Sequence, residues 1–191
     1  MQQGAEAIIE EKQENILKKR LEKKYRNEEL DKKMRTGRTD EELKNIRRAR
    51  KYGVKVPETE KIDESTLEQD RIDGKLLKKI IKEKTEITEE LGKNIARLHS
   101  ADVIHGDLTT SNVILSRERE LYLIDFGLSQ VSDRVEDKAV DIHLLKQVLD
   151  SSHPEVSKEA WENFLEAYRG YEESEKVLDR LEEVESRGRY R

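Results

Sequence analysis

"HGDLTTSN", residues 105–112, sets an aspartate and an asparagine five positions apart, between the apolar stretches 96–104 and 113–115. A polar run flanked in this way reads as a loop whose side chains are held over something, with a strand carrying the chain away from it. The wholly polar turn 116–120 separates that strand from a second apolar run, 121–124, so the two form a hairpin. Asp125-Phe126-Gly127 stands at the hairpin's exit. Eighteen positions separate Asp107 from Asp125, and antiparallel pairing folds those ends back beside each other. Asp107, Asn112 and Asp125 are therefore expected to converge as three oxygen-bearing groups.

Phosphoryl transfer needs such a set, because hard oxygens must grip a divalent ion while a carboxylate orients the attacking hydroxyl or water. Mg²⁺ prefers few protein ligands plus phosphate oxygens, which suits one carboxylate and one carboxamide. His-x-Asp-x-x-x-x-Asn followed by Asp-Phe-Gly is also the grammar of the protein-kinase signature. Each residue has a plainer reading: Asp107 as a turn former, Asn112 as a strand-edge cap, Asp125 as a turn aspartate before glycine. Their joint occurrence favours chemistry. His105 reads as a packing and hydrogen-bonding support for the loop, and Asp141 as its buried anchor.

The rest of the 191-residue chain suits one domain or two small lobes. Charged residues make up 42% and apolar residues 34%, so the core must be small and the surface ionic. With no cysteine and no apolar run of membrane-spanning length, the expectation is a cytoplasmic protein without a membrane partner. The net charge of -5 hides an asymmetry: residues 1–55 hold 17 Lys+Arg against 11 Asp+Glu, and the remainder 21 against 32. A basic face of this kind meets phosphates or is simply solvated.

Residues 4–17 read as two short strands around a turn near Gln13 to Asn15, and Asp31 to Arg50 as two helices interrupted near Gly37. Ile62, Leu67 and Ile72 mark weak strands. Ile87, Leu91, Ile95 and Leu98 recur at helical spacing, with Thr88 as the expected cap. Three further helices follow from Val140, Leu144 and Val148, from Trp161, Leu165 and Tyr168, and from Val177, Leu181 and Val184. Trp161 and Phe164 are core candidates.

"IHGDLTTSNVIL", "LYLIDFGLS" and "RVEDKAVDIHLLKQVL", with a "QGAEA" start and an "RGRY" tail, resemble the PRPK family, the small atypical kinase of the KEOPS complex. The resemblance runs over nearly the whole chain. It implies a minimal bilobal protein-kinase-like fold of the α+β class, with an N-terminal lobe at 1–73, a mainly helical lobe at 74–191 and a basic tail at 187–191. It implies ATP and Mg²⁺ as cofactors. Asp107 would be the catalytic aspartate, Asn112 and Asp125 the metal ligands, Lys18 the strand lysine on the phosphates, and Glu42 its helix partner. Gln3, Gly4, Ala5 and Glu6 would form the loop over the nucleotide, and Asp70 to Ile72 the hinge beside adenine. Implied partners are the KEOPS threonylcarbamoyl transferase subunit, a small companion subunit and transfer RNA. The implied activity is Ser/Thr phosphorylation or ATP hydrolysis in support of threonylcarbamoyl-adenosine synthesis.

Some residues depart from ordinary kinases. Thr109 stands where a lysine neutralises the transferring phosphoryl group, removing one charge contact. About ten residues link Gly127 to Asp137, too few for a phosphorylated activation loop. Glu10, Glu60, Glu68 and Arg71 occupy first-lobe positions where apolar residues are expected, which points to a marginal lobe. That erosion favours the alternative of a non-catalytic scaffold bridging KEOPS subunits. A small-molecule phosphotransferase also uses His-Gly-Asp, but the short second lobe leaves little room for its substrate. A RIO-type kinase is a closer comparison.

Overall fold

The structure, a computed structural model, describes residues 2–3, 7–23 and 25–188. The first lobe is an antiparallel sheet of β1 (Gln2–Gln3), β2 (Ala7–Glu11), β3 (Asn15–Arg20), β4 (Thr59–Asp63) and β5 (Thr66–Asp70), ordered β1-β2-β3-β5-β4. Helix α1 (Glu28–Lys51) joins β3 to β4. Pairing sets Ile9, Lys18 and Leu67 opposite one another, and in the next row Glu10, Leu17, Glu68 and Glu60. Successive side chains on a strand point to opposite faces. The Lys18 row therefore shares the buried face with Ala7 and Arg20, and the glutamate row faces outward.

This corrects the expected erosion of the first lobe. Glu10, Glu60 and Arg71 are exposed and Glu68 is half-buried, so these polar residues escape the cost of burying unpaired carboxylates. The two helices expected around Gly37 are also one. A Cβ at Gly37 would meet nothing within 4 Å, so this glycine costs the helix only its propensity, about 1 kcal/mol. Asn27 caps the helix by accepting from the amides of Glu29 and Leu30 at 3.0 and 3.3 Å. Acids in the first turn and bases in the last complement the helix dipole.

The second lobe opens with β6 (Gly74–Leu76) and the short α2 (Leu77–Ile80), then α3 (Ile87–Ser100), β7 (Val103–Ile104), β8 (Val113–Ser116) and β9 (Leu121–Leu123). It continues with β10 (Gln130–Val131), α4 (Val135–Ser152), α5 (Ser157–Tyr168) and α6 (Ser174–Gly188). The expected hairpin is β8–β9, with β6 added on its outer edge, while β7 pairs with β10. Thr88 is not the cap of α3. That position falls to Glu86, and the Thr88 hydroxyl donates to Thr85 O at 2.6 Å inside the first turn. Phe164 is fully buried and stacks with Tyr168, their centroids 5.7 Å apart, whereas Trp161 is only partly covered.

One apolar core joins the C-terminal half of α1 to the second lobe: Ile46, Ala49, Val54 and Val56 belong to the same cluster as Leu98, Leu108 and Phe126. Asn45 Nδ2 donates to Ser129 Oγ at 3.0 Å, and Lys55 O accepts from Leu123 N at 3.0 Å. Helix α1 is thus fixed to both lobes. Helices α3 and α5 pack closely enough that a Cβ on Gly92 would lie 2.3 Å from Phe164 O. Gly92→Ala is expected to force them apart at a cost of about 2 kcal/mol, lowering Tm by about 4–8 °C; differential scanning calorimetry measures it.

Candidate active site

The loop between β7 and β8 is pinned from beneath. Asp141 of α4 is 3% exposed and accepts from His105 N and Gly106 N, each at 2.9 Å, with His99 Nε2 3.2 Å away. Burial alone would raise its carboxyl, but the His99 ring, the His105 ring and the His105 amide outweigh it and hold the pKa below 3.8. Gly106 has φ +78°, and a Cβ there would lie 2.3 Å from Leu128 O. Only glycine lets the loop meet the segment following Asp125-Phe126-Gly127. The His105 ring packs on Phe126 with centroids 4.8 Å apart, and its Nε2 donates to Ile124 O at 3.1 Å.

On that base the two ends of the hairpin meet. Asn112 Nδ2 donates to both Asp107 O and Asp107 Oδ2 at 2.8 Å, and Asn112 O accepts from Ile124 N at 3.0 Å. Asn112 is therefore bonded to Asp107 on one side and to the residue preceding Asp125 on the other. Thr109 bonds within the loop itself, its hydroxyl accepting from Ser111 N at 3.3 Å. Asp125 sits at φ +61°, a left-handed conformation that costs a non-glycine residue roughly 1–2 kcal/mol.

The first lobe contributes the cations. Lys18 Nζ lies 2.6 Å from Glu42 Oε1 and 2.7 Å from Asp125 Oδ1, and Arg20 Nη2 lies 2.5 Å from Glu42 Oε2. Burial pulls the Lys18 ammonium down, yet Glu42 and Asp125 prevail and hold its pKa above 10.5. Burial likewise pushes Asp125 up, and Lys18 prevails in holding it below 3.8.

A cavity of about 190 Å³ opens between the lobes. Ile9 and Ile16 form one wall and Ile114 and Ile124 the other, with Pro57 and Ile72 at the side. Lys18, Asn112 and Asp125 form its polar end, and Asp70 also lines it. An apolar slot for a flat ring, ending in an amine, a carboxamide and a carboxylate, suits a nucleoside carrying phosphates. The donors fit Mg²⁺: Asp125 Oδ2 and Asn112 Oδ1 are hard oxygens that make no hydrogen bond among the described residues, the bonds of these two side chains falling on Asp125 Oδ1 and Asn112 Nδ2. Among the described residues no group of three or more His, Cys, Asp or Glu is gathered for a metal, so a cation here relies on phosphate oxygens as well.

Lys18, Glu42, Asp107, Asn112 and Asp125 thus come together, and Asp70 and Ile72 reach the slot. Gln3 is described only as the backbone of β1, and Gly4, Ala5, Glu6 and residues 189–191 lie outside the described residues. Two contributors were missed from sequence: Arg20, the second cation on Glu42, and His99, which supports Asp141. Arg20 was legible, because it stands two residues after Lys18 on one strand and so shares its face.

Asp141→Asn is expected to cost about 1.5–3 kcal/mol at neutral pH, as hydrogen bonds to a charged group become neutral ones. A carboxyl whose pKa is depressed by folding stabilises above its unfolded value, and that contribution is lost as pH falls through the folded one. The gap between wild type and variant should therefore close as pH drops below 3.8, which urea melts across pH 2–7 measure. Arg20→Met leaves half of the Glu42 carboxylate without its partner and should cost about 1–3 kcal/mol in the same melts.

The RIO domain family matches residues 7–161. The KEOPS complex subunit Bud32 of Pyrococcus abyssi is 39% identical over 92% of this chain and 84% of its own. A probable serine/threonine-protein kinase BUD32 homolog of Archaeoglobus fulgidus is 38% identical over 98% and 94%. A probable bifunctional tRNA threonylcarbamoyladenosine biosynthesis protein of Methanocaldococcus jannaschii is 39% identical over 98% of the chain, which spans 36% of that longer protein. Among solved structures, the Rio2 kinase–ADP/Mg²⁺–phosphoaspartate complex of Chaetomium thermophilum superposes with a TM-score of 0.67 at 16% identity, covering 100% of this chain and 70% of that one. The fold is the bilobal kinase-like one, and the chain belongs to the RIO domain family, in the branch whose members are named Bud32.

Proposed function

We propose that this chain is the kinase-type subunit of a KEOPS-type assembly and transfers or hydrolyses the terminal phosphate of Mg-ATP in support of threonylcarbamoyl-adenosine formation on transfer RNA. The observation that carries this reading is the meeting of the bonded pair Asp107–Asn112 with the ion pair Lys18–Asp125 at the polar end of the apolar slot. The names of the Pyrococcus and Methanocaldococcus relatives support the assembly and the transfer RNA pathway. They leave the threonylcarbamoyl transferase subunit and a small companion as the partners inferred from the sequence resemblance. No helix among the described residues is long and apolar enough to cross a membrane, in keeping with the cytoplasmic location we infer.

In this reading the isoleucine walls hold adenine beside Asp70 and Ile72, and Lys18 orients the phosphates with its ammonium kept charged. Glu42 and Arg20 fix where that ammonium points. Asp107 accepts the proton of the attacking serine, threonine or water hydroxyl, and Asn112 holds its carboxylate in position. Asn112 and Asp125 are the ligands for Mg²⁺, which when bound neutralises charge on the phosphate oxygens. The lobes divide at Asp73–Gly74, where the chain enters β6 on the edge of the hairpin sheet. The scaffold alternative loses its main support, since Glu10 and Glu60 are exposed and Glu68 is only half-buried.

Mg-ATP at saturating concentration should raise Tm by several degrees, because a ligand that binds only the folded chain stabilises it, by about 2.7 kcal/mol at a hundredfold excess over Kd. Asp125→Ala should abolish the Mg²⁺-dependent part of that shift and reduce phosphate release by about 100-fold or more, with assembly on the transferase partner intact. Unchanged turnover in Asp125→Ala would refute the metal assignment. No thermal shift at millimolar ATP would leave the scaffold as the better reading.

A further inference from the structure

The positive charge concentrated in the first part of the chain has a definite address. Helix α1 turns every 3.6 residues, so Lys33, Lys44, Arg47 and Lys51 lie on one stripe about 60° wide, opposite the buried Glu42, Ile46 and Ala49. All four are exposed, and none is held in an ion pair among the described residues. Cations elsewhere on the helix are tied down: Lys32 to Glu64 at 2.9 Å, Arg35 to Asp31 at 2.7 Å, Arg48 to Asp102 at 3.5 Å and Arg50 to Glu58 at 2.5 Å. Asp40, the one acid on the stripe, is itself neutralised by Lys61 at 2.5 Å. A chain with 43 carboxylates and 38 cations thus leaves four positive charges unanswered along one ridge.

We propose that this ridge seats the phosphate backbone of a folded RNA. The inference rests on the reading above, in which the assembly acts on transfer RNA, and adds the surface of this chain that touches it. At 1.5 Å per residue the cations span about 27 Å, a straight track suited to a row of phosphates. Between Lys33 and Lys51 the stripe carries no aliphatic or aromatic side chain. It therefore lacks both the buried anchor of a protein interface and the apolar face that enters a membrane surface. At Gly37 the ridge is bare, with open space where a side chain would stand, so a sugar-phosphate chain can approach the helix closely. Such contacts position an RNA without reading its bases.

Fluorescence anisotropy of the full chain with a labelled transfer RNA transcript, over a series of salt concentrations, tests the proposal. The variant K44A/R47A/K51A should lose about 10-fold or more in affinity, and the slope of log affinity against log salt should fall by about 2–3. K75A/K78A/K79A removes the same charge from exposed lysines on β6 and α2, and should change affinity less than about threefold. Equal losses in both variants would show that net charge alone drives binding and would overturn the proposal. So would unchanged affinity in the ridge variant, or competition by poly-glutamate of equal charge as effective as that by unlabelled RNA, which would assign the ridge to an acidic protein. The Mg-ATP thermal shift is measured on the same samples: its absence from wild type refutes the nucleotide reading, while its retention in the ridge variant shows that a loss of RNA affinity belongs to the ridge.

Discussion

Glu42 is 2% exposed and meets two cations, Lys18 and Arg20, from a single face of β3. A carboxylate taken this far out of water is tolerable only when it is paired and hydrogen-bonded, and losing one partner leaves the other charge stranded. Lys18 then reaches across the cleft to Asp125 at 2.7 Å. This chain of charges ties the sheet of the first lobe, helix α1 and the exit of the second lobe's hairpin into one arrangement, and it sets what the cleft can bind. The isoleucine walls accept a flat apolar group, but the polar end is defined by a lysine that is held charged and a carboxylate that is held ionised.

The second lobe completes this arrangement with its own buried carboxylate. Asp141 holds the amides of His105 and Gly106, which fixes the loop that carries Asp107 and Asn112. Helix α1 does not float above this base. Asn45 bonds Ser129, Ser129 Oγ donates to Phe126 O at 2.6 Å, and the apolar side of the helix belongs to the second-lobe core. From Gly127 the chain passes directly through β10 into α4, with no long segment to be ordered by phosphorylation. The geometry is that of a site held assembled by packing and buried charge.

Much of this was legible in the sequence where local spacing and tertiary contact coincide. The hairpin and the residues at its two ends followed from alternating apolar runs around a polar turn, and Asp141 and His105 were read as supports. Lys18 and Glu42 came from family resemblance alone, because in a chain that is 42% charged no local signal separates one lysine or glutamate from another. The continuity of α1 through Gly37 was misread, since a solvent-facing glycine weakens a helix without breaking it when both flanks are packed. The polarity of the first lobe was misread for want of register. Only the pairing of Glu10, Leu17, Glu68 and Glu60 reveals that these residues share the outer face.

The most direct test is crystallographic: crystals of the chain grown with Mn²⁺ and a non-hydrolysable ATP analogue, with the metal located by its anomalous scattering. Mn²⁺ is expected beside Asn112 Oδ1 and Asp125 Oδ2, with the adenine ring between Ile16 and Ile124. Metal found away from both residues, or nucleotide seated outside this cleft, would contradict it.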